Sequence, residues 1–176
     1  AHTLGSEYWA SAIPREKPLE EGDVVRLDGG VNIYGYLSDL GRTYAVGRHV
    51  SADKQRIFDT LLAARDAGVA MLRPGARFCD VFHEVVTTVQ RYIPEYQRGH
   101  VGHSLGCNRF SEEYPFISPT ETSTFEPGMI FCTEVPYYSS EFNSYNLEDT
   151  LLITDNGVEL FSHIPDTLSW TGVSER

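Results

Sequence analysis

Hydrophobic and polar positions along the chain predict strands first, then two helices, then strands again. Apolar runs at residues 24–27, 31–36 and 43–46 are separated by short polar turns, which is typical of consecutive strands. Ser51 offers an N-cap, and apolar residues then recur at helical spacing until the Pro-Gly pair at 74–75. This pattern predicts one long helix after the first strands.

The second half of the chain contains patterns that predict a second helix followed by further strands. An amphipathic segment from about Asp80 to Ile93 predicts a second helix. Apolar runs from Met129 to Tyr138 and from Leu147 to Thr154 predict strands. The turn sequence Asp155-Asn156-Gly157 predicts a hairpin with a returning strand at 158–161. This order of elements predicts an α+β fold, with the helices on one face of a mostly antiparallel sheet.

Composition excludes several classes of protein. The 176 residues include 14 Lys and Arg against 25 Asp and Glu, and this net charge of −11 disfavours binding to nucleic acid or to an anionic membrane. No apolar run is long enough to cross a bilayer, and no signal peptide is visible. Three scattered cysteines, Cys79, Cys107 and Cys132, suit a reducing compartment and predict a cytoplasmic protein with buried thiols.

Four carboxylates stand in or beside apolar strands, where charged side chains are rarely buried without a partner. They are Asp28 in VRLDGG, Asp39 in YLSDLGRT, Glu134 in FCTEVPYY and Glu148 in NLEDTLLIT. His103, in the Gly-rich stretch GHVGHSLG, adds a nitrogen ligand on a predicted loop. Four acids and one imidazole offer enough donors for two divalent cations, which suits Mn²⁺ or Co²⁺, or else Zn²⁺ or Fe²⁺.

Each of these residues also has a simpler interpretation, which its local sequence leaves open. The two aspartates could be turn residues, and the histidine could be a hydrogen-bonded loop residue. Glu134 could form a buried salt bridge, whereas Glu148 could belong to an exposed acidic pair with Asp149.

A weak internal repeat would explain how the acids come together. The sequence EEGDVVRLD at 20–28 parallels FEPGMIFCTE at 125–134, and in each a Gly precedes the final carboxylate by six residues. A duplicated unit would bring two acid-bearing hairpins to one centre. Two coincidental pairs of strand and acid would give the same spacing, so both explanations remain open at this point.

Five motifs in this order resemble the creatinase, prolidase and aminopeptidase P branch of the methionine-aminopeptidase-like metallopeptidases. They are GDVVRLDGGVNIYGYLSDLGRTYAVG, RPGARFCDVF, GHVGHSLG, EPGMIFCTEVPYY and NLEDTLLITDNGVELF. The resemblance extends from about Gly22 to Leu168 and implies the pita-bread fold, an α+β architecture with an internal pseudo-twofold axis. It also implies a catalytic domain over 22–176 that lacks its first helices and any preceding domain, after an irregular lead-in at 1–21.

The resemblance implies a role for each of the five ligands. Asp28 would hold one metal ion, and Asp39 and Glu148 would bridge both ions. His103 and Glu134 would complete the second site. A metal-bridging hydroxide would attack the carbonyl carbon, and an amide-like C–N bond would break, which in the peptidase members precedes proline. Glu134 would take the proton of the bridging water, so Glu134 and His103 are the predicted catalytic residues of an expected homodimer.

The sequence departs from the family pattern where substrate would be held. The further histidine that Xaa-Pro peptidases usually carry soon after the GHSLG-like motif is missing, and Asn146 stands where the family often has Arg. His100 precedes His103 by three residues rather than the usual four. We expect His100, Phe110 and Tyr36 to contact substrate, the two aromatic residues as parts of an apolar wall.

These departures leave three functions open. The leading hypothesis is a binuclear metallohydrolase of the Xaa-Pro dipeptidase or aminopeptidase type. The second is a family member with other chemistry on the same metals, such as creatinase-like amidinohydrolysis or a lyase reaction on a small molecule. The third is a non-catalytic binding protein, which a loss of metal ligands would indicate, although all five are present here. Arg42, close to Asp39 in sequence, is interpreted as part of a structural ion pair.

Overall fold

The structure is a computed structural model that describes residues 2–3, 18–107, 112–139 and 141–169. Within these ranges the chain forms two helices and a large antiparallel sheet. Among the described residues, no helix is both long enough and apolar enough to traverse a lipid bilayer.

Both predicted helices are present. Helix α1 spans Ala52–Met71, and its N-cap is Ser51, whose hydroxyl oxygen accepts a hydrogen bond from the Lys54 amide at 3.3 Å. Helix α2 spans Phe78–Gln90, so it starts and ends slightly earlier than the predicted segment. Its apolar side packs against α1 and the sheet in one continuous core.

The strands follow the predicted order but are more finely divided. They are β1 (His2–Thr3), β2 (Val24–Gly29), β3 (Asn32–Ile33), β4 (Tyr36–Leu37), β5 (Leu40–Ala45), β6 (Gly102–Ser104), β7 (Glu113–Phe116), β8 (Ile130–Glu134), β9 (Tyr137–Ser139), β10 (Asn143–Tyr145), β11 (Glu148–Thr154) and β12 (Gly157–Leu160). The large sheet has the order β1-β2-β5-β11-β8-β6-β7, and β12 pairs with β11. Strand β1 lies within the segment that was expected to be irregular.

The two helices cover one face of the sheet, as predicted. On β11, Asp149 accepts a hydrogen bond from Arg65 of α1 at 2.9 Å, and Leu151 and Ile153 are fully buried in the core that the helices share. Successive side chains of a strand point to opposite faces. Glu148 therefore projects from the opposite face of the sheet.

Candidate metal centre

Four neighbouring strands, β2, β5, β11 and β8, bring the predicted acids to that opposite face. Glu148 on β11 lies directly across from Glu134 on β8 and from Gly41 on β5, and Asp28 on β2 also lies across from Gly41. Directly paired residues of an antiparallel sheet project from the same face. Carboxylate oxygens of Asp28, Asp39 and Glu148 lie within 4.8 Å of one another, which is a suitable spacing for a shared cation.

Gly41 leaves the space that the carboxylates occupy. A Cβ atom at this position would lie 2.9 Å from the Cβ of Glu148 and 2.6 Å from Nδ2 of Asn146. Contacts that short require a displacement of these side chains. The absence of a side chain in the middle of β5 therefore allows acids from two flanking strands to approach one another.

His103 approaches the same cluster from β6. Its Nε2 atom lies 3.7 Å from Oε1 of Glu148, and its Nδ1 atom lies 3.0 Å from the Ser104 carbonyl oxygen. When the proton is on Nδ1, that nitrogen donates to the carbonyl and Nε2 presents its lone pair to the acids. This arrangement is typical of a metal-binding histidine.

The expectation that His103 lies on a loop was wrong, since it belongs to strand β6. Gly102 explains the difference, because a Cβ there would lie 2.4 Å from the Cys132 carbonyl oxygen. The glycine permits β6 to pair closely with β8, where His103 lies directly across from Cys132. The glycines of the motif thus serve strand pairing and not only loop flexibility.

The electrostatics of the cluster favour a bound cation. Burial, followed by the charge of Glu148, raises the pKa of Glu134 to about 7 and also raises the pKa of Asp28. Burial disfavours a charged His103, but its contacts with Glu148, Ser104 and Glu134 prevail and raise its pKa to about 9. The charge of Glu148 contributes to all three shifts, and divalent cations would compensate this negative charge.

Two basic residues, Arg98 and His100, contact Glu134 from the side. Nδ1 of His100 lies 3.2 Å from Oε1 of Glu134, and Nη2 of Arg98 lies 3.4 Å from the same oxygen. Burial lowers the pKa of His100, which favours its neutral form. His100 was predicted to lie at the site, whereas sequence reasoning missed Arg98. The sequence feature that could have indicated Arg98 is its position two residues before His100, which was itself a predicted site residue.

Tyr36, the other described residue that was predicted to contact substrate, is more exposed than the acids. Tyr36 is 67% exposed in the hairpin of β3 and β4, and the neighbouring Leu37 amide donates to the Gly106 carbonyl just after β6. Phe110 lies outside the described residues. Asn146, in the place of the usual arginine, donates from Nδ2 to Glu148 Oε2 at 2.9 Å and so orients that carboxylate.

Arg42 forms a structural ion pair, but its partner is not Asp39. Its guanidinium binds Asp149, and Asp149 also accepts from Arg65 at 2.9 Å. Asp149 is only 1% exposed, so the alternative of an exposed pair of Glu148 and Asp149 is wrong. Both acids are buried, and their side chains project from opposite faces of the sheet.

The comparison with protein families identifies the family of the chain. A model of the metallopeptidase family M24 matches residues 5–155. The chain belongs to this family. The match includes all five predicted ligands, which are Asp28, Asp39, His103, Glu134 and Glu148.

Relatives and solved structures agree with this assignment. The chain is 32% identical over 158 residues to the uncharacterized peptidase YqhT of Bacillus subtilis strain 168, a match that covers 89% of this chain and 44% of that protein. The prolidase from Pyrococcus horikoshii superposes with a TM-score of 0.83 at 27% identity, over 95% of this chain and 48% of that chain. The Xaa-Pro dipeptidase from Bacillus anthracis gives a TM-score of 0.81 at 29% identity, over 88% of this chain and 43% of that chain.

These matches confirm the family resemblance and the pita-bread fold that it implied. The chain spans less than half the length of each of these three proteins. The domain boundaries expected from the sequence, with a lead-in at 1–21 and a catalytic domain at 22–176, remain a prediction.

Proposed function

We propose that the protein is a binuclear metal-dependent hydrolase that cleaves the amide bond of a small peptide. The observation that carries the proposal is the convergence of acids from β2, β8 and β11 on the sheet face away from the helices. Membership of a metallopeptidase family and the similarity to a prolidase and an Xaa-Pro dipeptidase support it.

Two overlapping groups of side chains would hold the ions. Asp28, Asp39 and Glu148 would form the first group, and His103 and Glu134 would join Glu148 in the second. The many oxygen donors favour Mn²⁺ or Co²⁺, with Zn²⁺ or Fe²⁺ as further candidates. Bound divalent ions supply a Lewis acid for the scissile carbonyl group and lower the pKa of a water molecule.

Glu134 is the residue that would move the proton. Its carboxylate lies directly across from Glu148 in the sheet, so it could take a proton from the attacking water and return it to the leaving amine. Arg98 and His100 contact its Oε1 atom and hold the carboxylate in place. The pair of Asn146 and Glu148 fixes a second carboxylate at the centre.

An Xaa-Pro dipeptide is the substrate that we favour, because the prolidase and the Xaa-Pro dipeptidase are among the structural relatives. His100 beside Glu134 is a candidate to bind a charged or polar end of the substrate, in place of the missing histidine. Arg42 is occupied by Asp149 on the opposite face and does not serve this purpose. Tyr36 and Phe110 remain predicted parts of an apolar wall.

A second candidate is different chemistry on the same metals. The missing histidine after the GHSLG-like motif favours a creatinase-like amidinohydrolase or a small-molecule lyase. A non-catalytic binding protein is a weaker alternative, because all five ligand positions are filled by metal-binding residue types. A homodimer and a cytoplasmic location also remain predictions.

The test is a substrate panel on protein loaded with Mn²⁺ or with Co²⁺. We expect release of free proline from Ala-Pro and Gly-Pro, and loss of that release in Glu134→Gln. Glu159→Gln, at an exposed position on β12, is the matched control and should keep the activity. Turnover of creatine without any release of proline would overturn the Xaa-Pro assignment.

A further inference from the structure

Cys132 occupies a central position in the acid cluster. It precedes Glu134 by two residues on β8, so both side chains project from the same face. It lies directly across from His103 on β6 and from Thr150 on β11. Its exposed fraction is 0%.

The sulfur atom is closer to the predicted ligands than a packing role requires. Sγ of Cys132 lies 3.0 Å from Oε1 of Glu148. Donor atoms of His103, Cys132 and Glu148 lie within 4.8 Å of one another, which makes these three residues a possible metal-binding group. The other two cysteines differ, since Cys79 lies on α2 and Cys107 is exposed.

We propose that Cys132 Sγ is a further ligand of the metal ion beside His103, where it joins His103 Nε2, Glu148 Oε1 and the Glu134 carboxylate. The inference rests on the proposed function, because it assigns a sulfur donor to the same centre. When the ion binds, the S–H bond breaks, a bond from sulfur to the metal forms, and the proton passes to the solvent without any change in oxidation state.

A sulfur donor changes the expected metal preference. Thiolate ligands favour softer ions such as Zn²⁺ and Co²⁺, whereas a set of carboxylate oxygens suits Mn²⁺. The site beside His103 would therefore select Zn²⁺ or Co²⁺ over Mn²⁺. The group of Asp28, Asp39 and Glu148 would keep its preference for oxygen-binding ions.

The competing interpretation is that the thiol only donates a hydrogen bond to Glu148 and positions its carboxylate. The two roles differ in one measurable property. A thiolate bound to Co²⁺ gives a charge-transfer absorption band in the near ultraviolet, whereas a thiol that is hydrogen-bonded to a carboxylate gives none.

The experiment uses the chain with Cys79→Ser and Cys107→Ser, so that Cys132 is its remaining cysteine. Titration with Co²⁺ should produce the charge-transfer band in step with the visible bands of bound Co²⁺. Adding Cys132→Ser should abolish the charge-transfer band and leave the visible bands. It should also weaken Zn²⁺ binding by about tenfold or more relative to Mn²⁺ binding.

Two results would overturn the inference. The first is visible Co²⁺ bands without a charge-transfer band in the Cys132-only protein. The second is a charge-transfer band that persists after Cys132→Ser. Both differ from a failure of the proposed function, in which neither Co²⁺ nor Mn²⁺ binds to the wild-type chain at all. Circular dichroism of each variant checks that it remains folded.

Discussion

Glu148 and Asp149 are adjacent acids with nearly equal burial, at 3% and 1% exposure, yet their surroundings are opposite. Asp149 points toward α1 and binds the guanidinium groups of Arg42 and Arg65. Glu148 points to the other face, where it meets two further acids and His103. A buried acid that is paired with arginines stabilises the fold, whereas a buried acid that faces other acids is suited to an external cation.

Asp149→Asn should have the largest effect on stability. The substitution removes the charge that Arg42 and Arg65 share. Arg65 keeps Asp66 and Asp166 as close partners, whereas the buried Arg42 is left with a carboxylate contact of 3.7 Å to Asp166. We expect the free energy of unfolding to fall by about 3–5 kcal/mol, measured by urea denaturation of the metal-free protein. A loss below about 1 kcal/mol, which is the range of an exposed ion pair, would contradict the structural role of Asp149.

Glu148→Gln should differ from Asp149→Asn, because its main effect should be on metal affinity and not on stability. It removes a ligand common to both groups of donors, so the affinity for Co²⁺ should fall by about 100-fold or more. The stability of the metal-free protein should fall less than in Asp149→Asn, because relief of repulsion among the acids offsets the weaker contact with His103. Isothermal titration calorimetry measures the first effect and urea denaturation the second, with Asp149→Asn as the matched control. Unchanged Co²⁺ affinity would refute the site.

The pH dependence of stability should reveal the raised pKa values of Glu134 and His103, which lie on the sheet face away from the helices. A carboxyl group whose pKa rises from 4.5 to about 7 on folding keeps its proton longer in the folded state, so Glu134 lowers stability as pH rises through that window. His103, whose pKa rises from 6.5 to about 9, loses its stabilising proton between those values. The melting temperature of metal-free protein should therefore fall between pH 5 and pH 9, by roughly 5 °C or more.

Saturating Co²⁺ should reverse this trend, because bound ligands give up their protons and binding strengthens as pH rises. Differential scanning fluorimetry with and without Co²⁺ across the pH range provides the measurement. Glu134→Gln should flatten the metal-free curve between pH 5 and pH 7. A metal-free melting temperature that increases over this range would count against the raised pKa of Glu134.

Gly41→Ala should weaken metal binding moderately by displacing side chains on the sheet face that carries the acids. The added methyl group would meet the Cβ of Glu148 and the amide of Asn146, so both side chains must move. We expect about a tenfold loss of Co²⁺ affinity by calorimetry. Gly29→Ala is the control, because a Cβ at that position meets nothing within 4 Å. Equal affinities for the two variants would contradict the role of Gly41.

Ser162→Ala should have the smallest effect on stability. This effect should be limited to the sheet face that packs against the helices. The Ser162 hydroxyl lies 3.2 Å from Asp149 Oδ1 and 3.1 Å from Arg42 Nη2. Its removal should lower the free energy of unfolding by about 1 kcal/mol and leave Co²⁺ affinity unchanged. A weakened Co²⁺ site in this variant would show that the two faces are coupled.

The fold and the five candidate ligands could be predicted from sequence because they depend on local patterns. Ser51 caps α1 as expected, and the Gly-to-acid spacing places Asp28 and Glu134 at corresponding ends of two strands. The pairing of Glu134 with Glu148 then follows from antiparallel neighbours in the sheet. These features need only periodicity and the family motifs.

The errors all concern contacts between distant parts of the chain. Arg65 lies 84 residues from Asp149, so no local pattern distinguishes a buried Asp149 from an exposed one. His103 was assigned to a loop because the close approach of Gly102 to Cys132 depends on sheet pairing. The position of Cys132 across from His103 could not be predicted either, because it depends on the pairing of β6 with β8.

The most direct test of the account is calorimetric titration of Co²⁺ into three proteins: wild type, Glu148→Gln and Asp149→Asn. We predict two bound ions for each wild-type chain, loss of this binding in Glu148→Gln, and binding in folded Asp149→Asn that is close to that of wild type. Two ions bound with equal affinity by wild type and Glu148→Gln would contradict the assignment of this sheet face as the metal centre.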